Sequence, residues 1–521
     1  LSLVSQRALP AVSPARTLPA WADVLLAATL GALHTLPFVH TAWWPLQLLC
    51  VAILAQRVLC ASVRRAFALG LAFGTSWLVA GVWWLFISMH RYGNLPAWMA
   101  ALAVLALALA LSLYLALAMA AVARWRSGSL WPDTACFSSA WLLAELARTW
   151  LFTGFPWLAS GYAQLDSPLA VLAPWLGVLG IGAALAAVAS LWARAVTHRV
   201  AAAASVAVLA LAAWAGPPSH SQPGTTLSVS LLQTNVPQDE KFVIEQLPKT
   251  LRSLAAEINR VTGQLVVAPE TAVPLLPSQL DELAPGYMSA LAEPFRTADR
   301  AALIGVPLGD YDRGYSNSVI GLTGTAAASA PYRYDKQHLV PFGEFIPTGF
   351  RWFTTLLNIP LGDFMRGVRN PPSFAFAGER IAPNICYEDL YGDELALRFA
   401  DEATAPTLFA NLSNIGWFGD TIAIDQHLNI SRMRALEFQR PMLRATNTGA
   451  TAVIDHRGLV TASLAPFTRG VLEGQAQGRV GITPYAWWAS RAGLWPYLVV
   501  GLLGCLVCAR SRSSINPAAA I

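Results

Sequence analysis

Glu270, Lys336 and Cys386 carry side chains that combine into one chemistry. A thiol with an ordinary pKa of about 8.5 is mostly protonated at neutral pH. A neighbouring carboxylate can remove its proton as a general base, and an ammonium can stabilise the charge that develops. Attack of the thiolate on an acyl carbonyl creates an oxyanion, for which the Lys336 ammonium and the Tyr387 backbone N–H are candidate donors. The product is a thioester, reactive enough to acylate an amine or to hydrolyse. Taken one at a time, the three residues have plainer readings: a helix-capping carboxylate, a solvated lysine and a core thiol.

Cys386 lies in the run Asn384-Ile385-Cys386-Tyr387-Glu388-Asp389. The other five cysteines fall in strongly apolar segments or their short connections. A lone thiol in its own domain forms no disulfide there, so it is either inert or a nucleophile. Cys505 and Cys508 have Cys-x-x-Cys spacing within an apolar run, where a metal or redox role is not expected. Zinc-type spacing and histidine clusters are absent from the sequence, and neither a metal nor a cofactor is expected.

The elements that must position these groups occupy a polar stretch from about 225 to 485. Strands are expected at Leu227–Gln233, Gln264–Ala268, Ala301–Val306, Ser316–Leu322, Ala328–Tyr334, Arg380–Ile385, Thr407–Leu412, Met442–Thr446 and Thr451–Ile454. Helices are expected at Phe242–Val261, Leu283–Thr297, Tyr391–Ala400 and Gln426–Phe438. Such alternation predicts an α/β domain, in which functional groups collect beyond the carboxyl ends of strands. Glu270, Lys336 and Cys386 each follow a predicted strand.

The rest of the chain is apolar. Of 521 residues 55% are hydrophobic and 12% charged, against roughly 25% charged in an average soluble protein. The net charge of +5 is carried by arginine, with only three lysines, and forms no basic patch suited to nucleic acid. Runs able to span a bilayer lie near 21–38, 42–58, 66–89, 97–123, 138–155, 169–193, 199–216 and 493–509. The expected domains are therefore 1–220 with seven transmembrane helices, 221–488 as the catalytic domain, and 489–521 with the eighth helix and a tail.

Arg7, Arg16, Arg57, Arg64, Arg65, Arg124, Arg126, Arg194, Arg199, Arg510 and Arg512 gather at one set of helix ends. This bias makes both termini cytoplasmic and puts the polar domain on the other side, the periplasm in a bacterium. The first apolar run lacks a small-residue cleavage site and is read as a retained helix. Within the fifth run, Glu145 and Arg148 stand at helical spacing, as an internal ion pair or a lipid-headgroup contact.

The segments VVAPET (266–271), YDKQHLVPFGEFIP (334–347), NICYED (384–389), NLSNIGWFGD (411–420) and RMRALEFQRPMLRATNTG (432–449) resemble the carbon–nitrogen hydrolase, or nitrilase, superfamily. With the eight apolar runs, nearly the whole chain is similar to that superfamily's apolipoprotein N-acyltransferase family. The resemblance implies a multi-span α-helical membrane bundle carrying an αββα sandwich. It also implies a ping-pong reaction. The thiol takes an acyl chain from a phospholipid, usually phosphatidylethanolamine. It then passes that chain to the α-amino group of a diacylglyceryl-cysteine at the N-terminus of an apolipoprotein.

Carried over by motif, Glu270 is the general base, Lys336 the charge stabiliser and Cys386 the nucleophile. Glu344 matches a second glutamate of the site, and Tyr387 and Glu388 match positions flanking the nucleophile. Trp417 and Phe418 match an aromatic loop near the substrate entrance. The family often has a tryptophan where Phe242 follows Lys241, so an indole N–H is missing there. Trp352 and Phe353 belong to an apolar stretch, Phe345–Phe364, read as an arm that dips into the outer leaflet.

Two other functions fit part of this pattern. In a membrane-anchored nitrilase-type amidase, water would take the acyl group; a single helix would tether such an enzyme. In a transporter with a noncatalytic sensor domain, charged residues would line the spans, and these spans have few.

Overall fold

A computed structural model describes residues 18–297, 299–324, 331–347, 349 and 364–515. The chain divides into two compact units. One comprises Leu1–Trp83, Ala101–Pro218 and Leu494–Ile521, the other Trp84–Ala100 and Ser219–Gly493.

The first unit is helical. Among the described residues five helices are long and apolar enough to cross a membrane: Ala20–Phe38, Thr41–Cys60, Val63–Val82, Ala97–Trp125 and Pro168–Trp192. Pro484–Ala492 with Trp495–Ser511 makes a sixth if counted as one span. Arg199–Ala215 is apolar but shorter, and Leu130–Trp150 carries Asp133, Glu145 and Arg148. In the run predicted over 66–89 the long helix ends at Val82; only short helical turns, Leu85–Ile87 and Ser88–Tyr92, follow, and Trp84–Ala100 groups with the other unit.

Two charged side chains inside this unit find partners within it. Glu145 Oε1 accepts from the Ser160 N–H at 2.8 Å and hydroxyl at 2.6 Å, and lies 3.8 Å from the Arg148 guanidinium. Arg148 donates to the Leu158 carbonyl at 2.8 Å and covers the Trp77 ring at 4.7 Å. Glu145 and Arg148 thus form the internal ion pair of the two readings. Gly31 lets helices approach closely, since a Cβ there would stand 2.1 Å from the Phe73 carbonyl oxygen.

The second unit contains two six-stranded sheets among its described residues. Its strands are β1 (Gln222–Gln233), β2 (Leu265–Val267), β3 (Ala301–Asp310), β4 (Gly314–Thr323), β5 (Tyr332–Asp335), β6 (Phe374–Phe376), β7 (Glu379–Ile385), β8 (Leu408–Ser413), β9 (Met442–Thr446), β10 (Ala452–Ile454), β11 (Val460–Ser463) and β12 (Gly470–Val480). The first sheet has the order β12-β1-β2-β3-β4-β5 and the second β11-β10-β9-β8-β7-β6. In each sheet three neighbouring strands are parallel: β1, β2 and β3 in one, β7, β8 and β9 in the other.

Strand alternation builds the layers. Leu227, Val229, Leu231, Leu265 and Val267 pack with Ile381, Ile385, Leu408, Leu412 and Leu443 of the second sheet. Val266, Ala302 and Ile304 point to the opposite face, beneath the helix Leu247–Arg260. That helix turns Leu247, Leu251, Leu254 and Ile258 inward, at the spacing of one helical face. Each such side chain contributes roughly 1.5–3 kcal/mol when fully buried. On the far side of the second sheet, Ala382, Phe409 and Met442 are covered by the helices Ala423–Phe438 and Pro484–Ala492. The result is the expected αββα sandwich.

Nine predicted strands correspond to β1–β5 and β7–β10, with ends shifted by a few residues. The helix predicted from Phe242 starts at Leu247, where Pro248 occupies the first turn. Strands β6, β11 and β12 have no counterpart among the predictions. Trp352 and Phe353, and most of the proposed arm with them, lie outside the described residues.

Candidate active site

Each of the three reactive side chains follows a strand end. Beyond β2 the chain turns through Pro269 to Glu270, passing so close to Gly305 that a Cβ there would meet the Pro269 carbonyl oxygen at 2.4 Å. Glu270 is buried and its carboxylate is held from both sheets. Oε1 accepts from Asn317 Nδ2 of β4 at 2.7 Å, and Oε2 accepts from the Asn414 N–H, just past β8, at 2.8 Å.

Lys336 follows β5, and its backbone N–H donates to the Asn317 carbonyl at 2.8 Å. Its ammonium donates to Glu344 Oε1 at 2.8 Å and lies 3.7 Å from Glu270 Oε1. Glu344 is fixed in turn by Asn317 Nδ2 at 3.1 Å and the Val340 N–H at 2.9 Å. Lys336 is almost fully buried between two carboxylates. Burial works against its charge, but Glu344 and Glu270 outweigh it and hold the lysine above its ordinary range.

Cys386 follows β7 in a left-handed backbone conformation (φ +56°) and opens a short helical turn, Cys386–Leu390. The residue as a whole is only partly covered. The surrounding protein still desolvates it: burial pushes the thiol well up, Glu270 adds to this, and Lys336 opposes it. Burial, carboxylates and an ammonium thus all act on the charge of this thiol.

The flanking residues are tied down. The Tyr387 hydroxyl donates to the Leu339 carbonyl at 2.5 Å, and the Lys336 ammonium sits 5.4 Å from its ring centroid. Glu388 Oε2 accepts from Tyr334 Oη at 2.5 Å and the Ile385 N–H at 2.6 Å. Its Oε1 accepts from the N–H groups of Gln337 at 2.6 Å and His338 at 3.1 Å. Glu388 thereby joins the ends of β5 and β7, the strands that carry Lys336 and Cys386.

The aromatic candidates are more open. Phe242 is 53% exposed and Trp417 37%. Trp417 and Phe418 sit in a short turn whose rings meet Tyr92 at 5.3 Å and Trp84 at 4.3 Å. The Trp84 indole N–H also donates to Gln426 Oε1 at 3.1 Å. Trp84–Ala100 therefore backs the turn that bears both aromatics.

Two residues join the site without having been singled out for it. Asn317 bridges Glu270 and Glu344; its only sequence signal is a polar residue in a β-type run. Lys241 was noted merely as the neighbour of Phe242. It is buried and donates to the Glu270 carbonyl at 3.0 Å. Burial lowers its pKa to about 8, while Glu270 and Cys386 act in the opposite direction.

Residues 30–191 match the model of the apolipoprotein N-acyltransferase N-terminal domain, and residues 228–485 that of the carbon-nitrogen hydrolases. The chain is 52% identical over 482 residues to the apolipoprotein N-acyltransferase of Verminephrobacter eiseniae (strain EF01-2), covering 87% of this chain and 89% of that one. To the enzyme of the same name from Ralstonia nicotianae (strain ATCC BAA-1114 / GMI1000) it is 46% identical over 490 residues, covering 92% and 91%. To that of Bordetella bronchiseptica (strain ATCC BAA-588 / NCTC 13252 / RB50) it is 43% identical over 558 residues, covering 97% and 100%. This chain belongs to the apolipoprotein N-acyltransferase family.

Proposed function

We propose that Cys386 carries an acyl chain from a phospholipid to the α-amino group of the diacylglyceryl-cysteine of an apolipoprotein. The observation that supports these roles best is the buried Lys336 ammonium, set between Glu344 and Glu270 and acting on the charge of the Cys386 thiol. Glu270 accepts the thiol proton as sulfur attacks the ester carbonyl. Lys336 and the Tyr387 N–H take up the charge on the carbonyl oxygen. The ester C–O bond breaks, and the leaving lysophospholipid oxygen recovers the proton from Glu270. The acceptor amine then attacks the thioester and gives its proton to Glu270. The C–S bond breaks, and the leaving sulfur takes that proton from Glu270, restoring both the thiol and the carboxylate.

Phosphatidylethanolamine is the proposed donor. Leu130–Trp150 and Arg199–Ala215 are read as spans together with the longer apolar helices, giving eight. The arginine bias supports cytoplasmic termini and a periplasmic catalytic domain. In this reading the domains are 1–220, 221–488 and 489–521, and Phe242, Trp417 and Phe418 flank the substrate entrance.

The second half-reaction tests the function directly. Purified protein preloaded with phospholipid receives a diacylated lipopeptide, and the peptide is weighed. A triacylated peptide, with matching loss of acyl-enzyme, is the expected result. Free fatty acid released at the same rate without peptide would overturn acyl transfer in favour of hydrolysis.

A further inference from the structure

The nucleophile's own peptide group is held by a buried network that none of the proposed catalytic roles uses. The Cys386 carbonyl oxygen accepts from Asn411 Nδ2 of β8 at 2.8 Å and from His427 Nε2 at 3.2 Å. His427 lies on the helix Ala423–Phe438, on the outer face of the second sheet. Asn411, His427, Asp389, Ser431 and Arg444 are all fully buried.

The network fixes which groups donate. Arg444 donates to His427 Nδ1 at 2.8 Å, so that nitrogen uses its lone pair and the ring proton resides on Nε2. Nε2–H faces two acceptors, the Cys386 carbonyl and Asp389 Oδ1 at 3.1 Å. Asp389 Oδ2 accepts from the Ser431 hydroxyl at 2.5 Å, and that hydroxyl accepts from Arg444 at 2.7 Å. Asn411 is oriented the same way: Oδ1 accepts from Ser413 Oγ at 2.5 Å, and Nδ2 also donates to Asn384 Oδ1 at 2.6 Å. Both donors to the Cys386 carbonyl are therefore locked in place.

A trans peptide is planar, with its C=O and N–H pointing in opposite directions. The carbonyl of the Cys386–Tyr387 peptide is drawn toward β8 and the outer helix. The N–H of the same peptide, that of Tyr387, must then point away from that helix, the side on which Glu270 and Lys336 approach from the first sheet. The left-handed backbone of Cys386, unfavourable for a non-glycine residue, persists because these contacts hold it.

We infer that His427 and Asn411 are positioning residues that clamp the Cys386–Tyr387 peptide so that the Tyr387 N–H faces the developing oxyanion. The inference rests on the proposed role of Cys386 as the acyl-carrying nucleophile.

The test compares two reactions of the same thiol in the full-length detergent-solubilised protein. Acyl-enzyme formation from phospholipid passes through an oxyanion, whereas alkylation by iodoacetamide displaces iodide and needs none. His427→Gln and Asn411→Ala are each expected to slow acylation by roughly tenfold to a hundredfold, less than the roughly 10²–10³ lost when an oxyanion donor is removed outright. Alkylation of Cys386 should keep the wild-type rate. Asn411→Ala leaves the His427, Asp389 and Arg444 side chains in place, and so serves if His427→Gln does not fold.

Unchanged acylation in either folded variant, or an equal fall in both reactions, would overturn the clamp. Wild-type protein that alkylates at Cys386 but never acylates would instead overturn the nucleophile assignment, so the two failures are distinct.

Discussion

The backbone N–H of Asn414 donates to Glu270 Oε2 at 2.8 Å, binding a strand end of the second sheet to a carboxylate of the first. Because Cys386 also leaves the second sheet, this contact ties the proposed base to the sheet that bears the proposed nucleophile. In the proposed mechanism the sandwich is thereby part of the chemistry: either sheet sliding against the other would move Glu270 and the Cys386 thiol apart.

Glu270→Gln separates the two effects of Glu270 on the thiol. As a proposed base it is required for turnover, and the variant should lose at least about 10² of the acylation rate. As a negative charge it raises the Cys386 pKa, so its removal should lower that pKa. Ultraviolet titration of the thiolate, read against Cys386→Ala to subtract the other cysteines, should show ionisation at lower pH in the slower enzyme. Ionisation at an unchanged or higher pH would contradict the electrostatic coupling.

Glu388 is expected to act through structure. Its carboxylate receives four donors that join β5 to β7, and Glu388→Gln turns an N–H₂ group toward some of them. Leaving one buried donor unsatisfied costs about 1–3 kcal/mol, so thermal unfolding should come earlier. Wild-type stability with lost acylation would instead place Glu388 among the chemical groups.

Lys241 gives stability a pH dependence of definite sign. Burial depresses its pKa to about 8 from an unperturbed 10.5. Between those values the unfolded chain binds a proton that the folded chain does not, so stability from this group rises with pH there. Below about 8 both states are protonated and the full cost of burying the charge is felt. The slope is about 1.4 kcal/mol per pH unit for one proton, and Lys241→Met should lack it. Unfolding measured below pH 8 and near pH 10 should show the wild type gaining on the variant at the higher pH. A constant difference between them would contradict the depressed pKa.

Strongly patterned elements were legible in the sequence. β2 and β7 are short apolar runs that end at reactive residues, and Leu251, Leu254 and Ile258 mark a helix face. β12 was not legible, because Glu473–Arg479 alternates polar residues with the small Gly474, Ala476 and Gly478, and the segment becomes a strand through its long antiparallel pairing with β1. The third apolar run extends past the helix it forms, because Trp83 and Trp84 read as apolar although the helix stops at Val82. Lys336 and Cys386 stood out through their types and positions. Asn317, Asn411 and His427 did not, because a buried amide or imidazole gains its role only from partners brought together by the second sheet and its helix.

Acyl transfer as proposed requires that Cys386 carry the acyl chain. Wild-type protein incubated with phosphatidylethanolamine vesicles and weighed intact should gain the mass of one acyl chain. Hydroxylamine should remove it, and Cys386→Ala should never acquire it. An unmodified wild type, or the same mass gain on Cys386→Ala, would contradict the account.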